Sequence, residues 1–185
     1  MEALNEDVVH LNSQLLLLAS DPEEGEAMMR LLGASPLVIQ RITRAGSKAV
    51  GTAIRCGVPL VTFVSKLEEV LVASGGEMTG VASRSVPEAL RDLTRDTLHM
   101  AQRLAFVDRT VAQLHFGFTP RACEGLTRLS VARIARLTQR HGVLIKLRAA
   151  DKAQVWDRLL IGDRYSGPSG YRISQQAALL SLGND

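Results

Sequence analysis

A chain of 185 residues is long enough for one compact domain or two small ones. Its 46 % hydrophobic and 22 % charged residues are the composition of a globular protein that buries a core. The net charge of +3 is uneven: residues 1–92 hold 8 Lys/Arg against 12 Asp/Glu, and residues 93–185 hold 14 against 7. Such asymmetry points to a polyanion-binding surface in the second half, or to self-complementary packing of the two halves. The longest apolar run, Leu15 to Ala19, excludes a membrane span by length. The acidic start, with Glu2, Glu6 and Asp7, is unlike a secretory or transit signal, so a cytoplasmic protein is expected. Cys56 and Cys123 lie far apart with no Cys or His at ligand spacing. They predict free, semi-buried thiols and no metal site. No cofactor motif is present either.

In chain order, apolar spacing and cap residues predict helices at 8–20, 23–32, 36–45 and 47–56, then an extended stretch at 58–64. A short helix is expected over 67–73, and Ser74-Gly75-Gly76 opens a linker over 74–86. Helices follow at 88–103, 106–116, 120–128 and 130–141, then a strand at 143–148 whose alternation suggests one exposed face. A helix over 150–161, a Gly/Ser/Pro-rich loop over 162–170 and a last helix over 173–182 complete the chain.

These elements form an internal repeat. Gly33-Ala34-Ser35-Pro36 matches Gly117-Phe118-Thr119-Pro120 at an offset of 84, which also pairs Ile42-Thr43-Arg44 with Leu126-Thr127-Arg128. Cys56-Gly57-Val58 resembles His141-Gly142-Val143 at offset 85. In each copy Gly ends one helix, Ser or Thr caps the next, and Pro occupies its first position, where no amide donor is needed. The expected fold is therefore mainly α. It is a tandem repeat of a helix-turn-helix-like unit, each copy ending in a short strand, with domains at 1–73, 87–149 and 150–185.

The helix from Ser130 to Arg140 follows a tight turn and occupies the place of a second, groove-entering helix. Val131, Ile134 and Leu137 are expected to face the core, and Arg133, Arg136 and Arg140 to share another face. Arg128 and Gln139 lie nearby, and Lys146 and Arg148 on the strand extend the candidate footprint to phosphates. The matching helix of the first copy is small and apolar. Ala49, Val50, Ala53 and Ile54 there are candidates for packing on a partner or on the other copy.

Residues 9–148 resemble the flagellar master-regulator family of transcriptional activators, its D subunit (FlhD) above all, with FlhC sharing a related opening. The resemblance rests on Ala-Gln-Arg-Leu at 101–104, the helix end from Ala112 to Gly117, the Leu-Thr…Ile-x-x-Leu helix, and the run Val-Leu-Ile-Lys-Leu-Arg at 143–148. The first copy fits the pattern more loosely. The resemblance implies a helical DNA-binding activator working in a hetero-oligomer with a sister subunit. Its implied partners are double-stranded DNA and RNA polymerase, with no membrane and no metal. The tandem copy resembles the branch that regulates conjugative plasmids and integrative elements. FlhC's zinc-binding cysteine cluster has no counterpart here.

No catalytic constellation stands out. His10, His99, His115 and His141 pair with no nucleophile at a recognisable spacing, and GxSxG, Walker A and HExxH are absent. Two functions remain. One is an activator subunit that binds DNA through its second copy. The other is a non-DNA-binding adaptor or anti-activator that mimics a sister subunit.

Overall fold

The computed structural model describes residues 2–72, 86–141 and 143–161. These form helices α1 (Glu2–Ala19), α2 (Gly25–Leu31), α3 (Pro36–Thr43) and α4 (Ser47–Ile54), strand β1 (Val61–Phe63) and helix α5 (Ser65–Val72). The same order then recurs in α6 (Glu88–Val107), α7 (Arg109–Phe116), α8 (Pro120–Thr127), α9 (Val131–Arg140), β2 (Ile145–Leu147) and α10 (Ala153–Ile161). The expected linker at 74–86, apart from its last residue, the loop at 162–170 and the helix at 173–182 lie outside the described residues.

Both Gly-x-Ser/Thr-Pro corners form as the cap chemistry predicts. Gly33 and Gly117 take φ of +83° and +73°, a conformation that a Cβ would strain. Ser35 Oγ accepts from the Val38 amide at 3.4 Å, and Thr119 Oγ1 accepts from the Ala122 amide at 3.3 Å. One boundary moves: α6 runs on to Val107 instead of ending near residue 103. The first strong cap in that stretch is Asp108, whose carboxylate accepts from the Thr110 and Val111 amides at 2.9 and 3.1 Å.

The strands form a two-stranded sheet. The Val64 amide donates to the Leu144 carbonyl at 3.0 Å, and the Arg148 amide donates to the Leu60 carbonyl at 2.8 Å, so the pair runs antiparallel. The chain divides into two compact units, one containing Met1–Val61 and the chain from Leu147 onward, the other Thr62–Lys146. Each unit thus draws on both halves of the sequence.

In the first unit α1 packs on α2, α3 and α4, and α10 packs on α3 and α4. Its core holds Leu15, Leu16, Met29, Val38 and Ile42, with Trp156 of α10 fully buried. Trp156 Nε1 donates to the carbonyls of Arg148 and Ala149, which satisfies the indole inside an apolar setting. Asn12 is buried on α1 and ties down the segment after α4. Its Nδ2 donates to the Ile54 and Val58 carbonyls, and its Oδ1 accepts from the Leu60 amide at 2.8 Å.

In the second unit α6 packs on α7, α8 and α9, and α5 packs closely on α8. Gly125 of α8 makes the α5 crossing possible: a Cβ there would lie 2.1 Å from the Leu71 carbonyl oxygen. Phe63, Phe116 and Phe118 form an aromatic cluster with ring centroids 5.1 to 6.0 Å apart.

Candidate nucleic-acid interface

Three residues, Arg128 to Ser130, join α8 to α9. Ser130 caps α9, its Oγ accepting from the Arg133 amide at 3.2 Å. The turn is held from α6. Gln102 Nε2 donates to the Leu126 carbonyl at 2.9 Å and to the Leu129 carbonyl at 2.7 Å. The Leu126 carbonyl also accepts from the Leu129 amide at 3.1 Å, so the Gln102 amide adds a second bond there, takes up the Leu129 carbonyl and fixes the corner.

Helix α9 is strongly amphipathic. Ile134, Leu137 and Thr138 are buried, and Arg136, Gln139 and Arg140 are exposed. Arg133 is half-buried, and Arg128 is exposed just before the turn. Arg128 faces Glu124 at 3.9 Å across an exposed i,i+4 pair, a contact of little energy in water. Among the described residues no carboxylate lies within salt-bridge distance of Arg133, Arg136 or Arg140. Arg136 Nε instead donates to the Ala132 carbonyl at 3.3 Å.

Two expectations about this surface fail. Val131 was expected in the core but is 70 % exposed. The core contacts of α9 begin one turn later, at Ile134. Arg148 was expected on the exposed face of the strand but is only 1 % exposed. Both faces of β2 are covered, so the predicted alternation does not appear: Leu144, Ile145, Leu147 and Arg148 are all buried, and Lys146 is half-buried. Arg148 Nε donates to the Pro59 carbonyl at 2.9 Å, and burial pushes its pKa down to about 10, so it remains a cation inside the first unit. It is a core group and is set apart from the candidate DNA surface.

The face expected on α4 also changes meaning. Ala53 is completely buried within the first unit, because α4 packs against both α1 and α10. Ala49, Val50 and Ile54 are half-buried. Helix α9 packs mainly on α6, which leaves its Arg side open.

Other titratable groups are structural. Both cysteines are free and buried. Burial raises the Cys56 thiol, next to the Val58 carbonyl and Asn12, and it also raises the Cys123 thiol. His141, which caps the C-terminal end of α9, is 5 % exposed. Burial lowers its pKa, and the positive charges of Lys66 and Arg140 lower it further. Among the described residues no cluster of His, Cys, Asp or Glu could hold a metal ion. No described helix is long and apolar enough to cross a membrane.

Sequence reasoning missed Asn12 and Gln102 as positioning residues. Both are polar residues on otherwise apolar helix faces, the pattern that marks a buried group with a specific partner.

The described residues define a mainly helical protein with a basic, exposed face on α9. The flagellar transcriptional activator (FlhD) model matches residues 78–182, more than half of the chain. The chain belongs to the FlhD family, a family of transcriptional regulators and not of enzymes. Comparisons with curated proteins and with solved structures gave no match.

Proposed function

We propose that this protein is a DNA-binding subunit of a transcriptional activator, in which α8 and α9 act as a helix-turn-helix and α9 enters the major groove. The observation that carries this reading is the Arg face of α9, where Arg133, Arg136 and Arg140 have no carboxylate within salt-bridge distance among the described residues. An unneutralised basic helix surface costs repulsion unless a polyanion meets it, and phosphates are the polyanion that a guanidinium fork fits best. Arg128, exposed before the turn, and Lys146, half-buried on β2, are the further proposed phosphate contacts. Membership of the FlhD family supports a regulator that works on double-stranded DNA in a complex with a sister subunit and engages RNA polymerase at the promoters of flagellar-type or mobile-element transfer genes. The half-buried Ala49, Val50 and Ile54 of α4 are the proposed contact for that subunit.

The fold that carries the site is, in this reading, two copies of one unit that exchange their last helices. The element order recurs, and offset 84 equates Val64 with Arg148 and Leu60 with Leu144, so the two sheet bonds named above are equivalent under the repeat. The helix after each strand packs with the other copy's helices: α5 on α8, and α10 on α3 and α4.

The test is the triple variant Arg133→Ala/Arg136→Ala/Arg140→Ala, measured for DNA affinity against salt, alone and with the sister subunit. The expected result is weaker binding with a salt slope smaller by about 2–3, since each phosphate contact contributes roughly 0.9. Unchanged DNA binding would overturn the assignment. DNA-free wild-type protein that still binds its partner would leave the adaptor function in its place.

A further inference from the structure

Resting on the DNA-binding reading above, we propose that Arg136 and Gln139 read base edges, while Arg133 and Arg140 grip phosphates on one flank of α9. Ile134, Leu137 and Thr138 fix which side of α9 faces the core. At about 100° per residue, the line directly opposite passes through Ala132, Arg136 and Gln139. All three are exposed. Arg133 and Arg140 fall on one flank of that line, and Val131 and Ala135 on the other.

Each residue on the outward line suits a different part of a groove floor. Ala132 projects one methyl, so the helix backbone can come close at its N-terminal turn, the part of a second helix that reaches bases. Arg136 can donate two bonds to the O6 and N7 acceptors of guanine, and Gln139 can pair with adenine N6 and N7. They are three positions apart, about 4.5 Å along the helix axis, which falls between one and two base-pair steps. The Arg136–Ala132 bond of 3.3 Å is long and exposed, so it gives way readily to a base edge. The recognised sequence therefore contains a guanine and an adenine within one or two base pairs.

Selection of duplexes from a random-sequence library tests this, using the full chain alone and with its sister subunit. Wild type is expected to enrich one short motif. Arg136→Ala loses the guanine preference at one position, with roughly 5- to 150-fold weaker binding to the best site. Gln139→Ala relaxes a neighbouring adenine position. Arg133→Ala weakens every bound sequence alike and lowers the salt slope by about one. All three are surface changes, and matching thermal melts establish that each variant is folded. A motif unchanged in both Arg136→Ala and Gln139→Ala, or equal binding of all duplexes by wild type, overturns the base-reading assignment and leaves the DNA-binding reading standing. Salt-independent absence of binding by wild type overturns that reading itself.

Discussion

Asn12 and His141 carry more of the structure than their one-letter neighbours suggest. Asn12 satisfies the Ile54 and Val58 carbonyls and the Leu60 amide inside the first unit. Asn12→Ala leaves those buried groups unpaired and is expected to cost about 2–3 kcal/mol, read as a lower urea midpoint. His141 is held neutral by burial and by the nearby charges of Lys66 and Arg140. Its folded pKa therefore lies below the unfolded value of 6.5. Below that value the unfolded chain binds the proton more readily, so stability falls as pH drops from 6.5 towards the depressed folded pKa. Denaturant midpoints at about pH 7.5 and about pH 5.5 should differ in this direction, and His141→Gln should remove part of the difference. Arg148 teaches the opposite lesson. Its charge and strand position read as exposed because alternation assumes one wet face, and nothing local announces that β2 is covered on both.

At the scale of elements, the sequence was most legible where a helix start is a local chemical event. Ser35-Pro36, Thr119-Pro120 and Ser130 each cap a helix through their own side chain, so their positions follow from neighbours alone. The end of α6 moved to Val107 because nothing between residues 103 and 107 stops the helix before the Asp108 cap of α7. Crossings were illegible, because they depend on which distant helix arrives. Gly125 is where α5 lies against α8, and nothing in its neighbours along the chain announces that crossing. Gly125→Ala is expected to force the two helices apart and cost about 1–3 kcal/mol, a loss checked by equilibrium unfolding. Overpacking against backbone gives less way than against a flexible side chain. The exposed Arg set of α9 was readable from charge and period, whereas Gln102, which fixes the corner beneath it, became evident only from its bonds to Leu126 and Leu129.

At the scale of the whole molecule, each compact unit takes its post-strand helix from the other half of the sequence. The first unit includes α10, and the second includes α5. A chain cut once at a protease site inserted within 74–86 should therefore stay together as a one-to-one pair of fragments that melts as the intact protein does. Two fragments that separate under native conditions would contradict the exchanged arrangement. Composition alone left the basic second half open between polyanion binding and internal packing; Arg133, Arg136 and Arg140 of α9 have no carboxylate within salt-bridge distance among the described residues, which under the proposed function leaves them to a polyanion. That surface is the centre of the functional account. It is tested most directly by titrating a promoter-length duplex with the purified protein at two salt concentrations, with and without the sister subunit. Binding is expected to weaken with salt, with a slope near −3 for three to four phosphate contacts at roughly 0.9 each. No binding in any of these conditions, with the partner complex still forming, would contradict it.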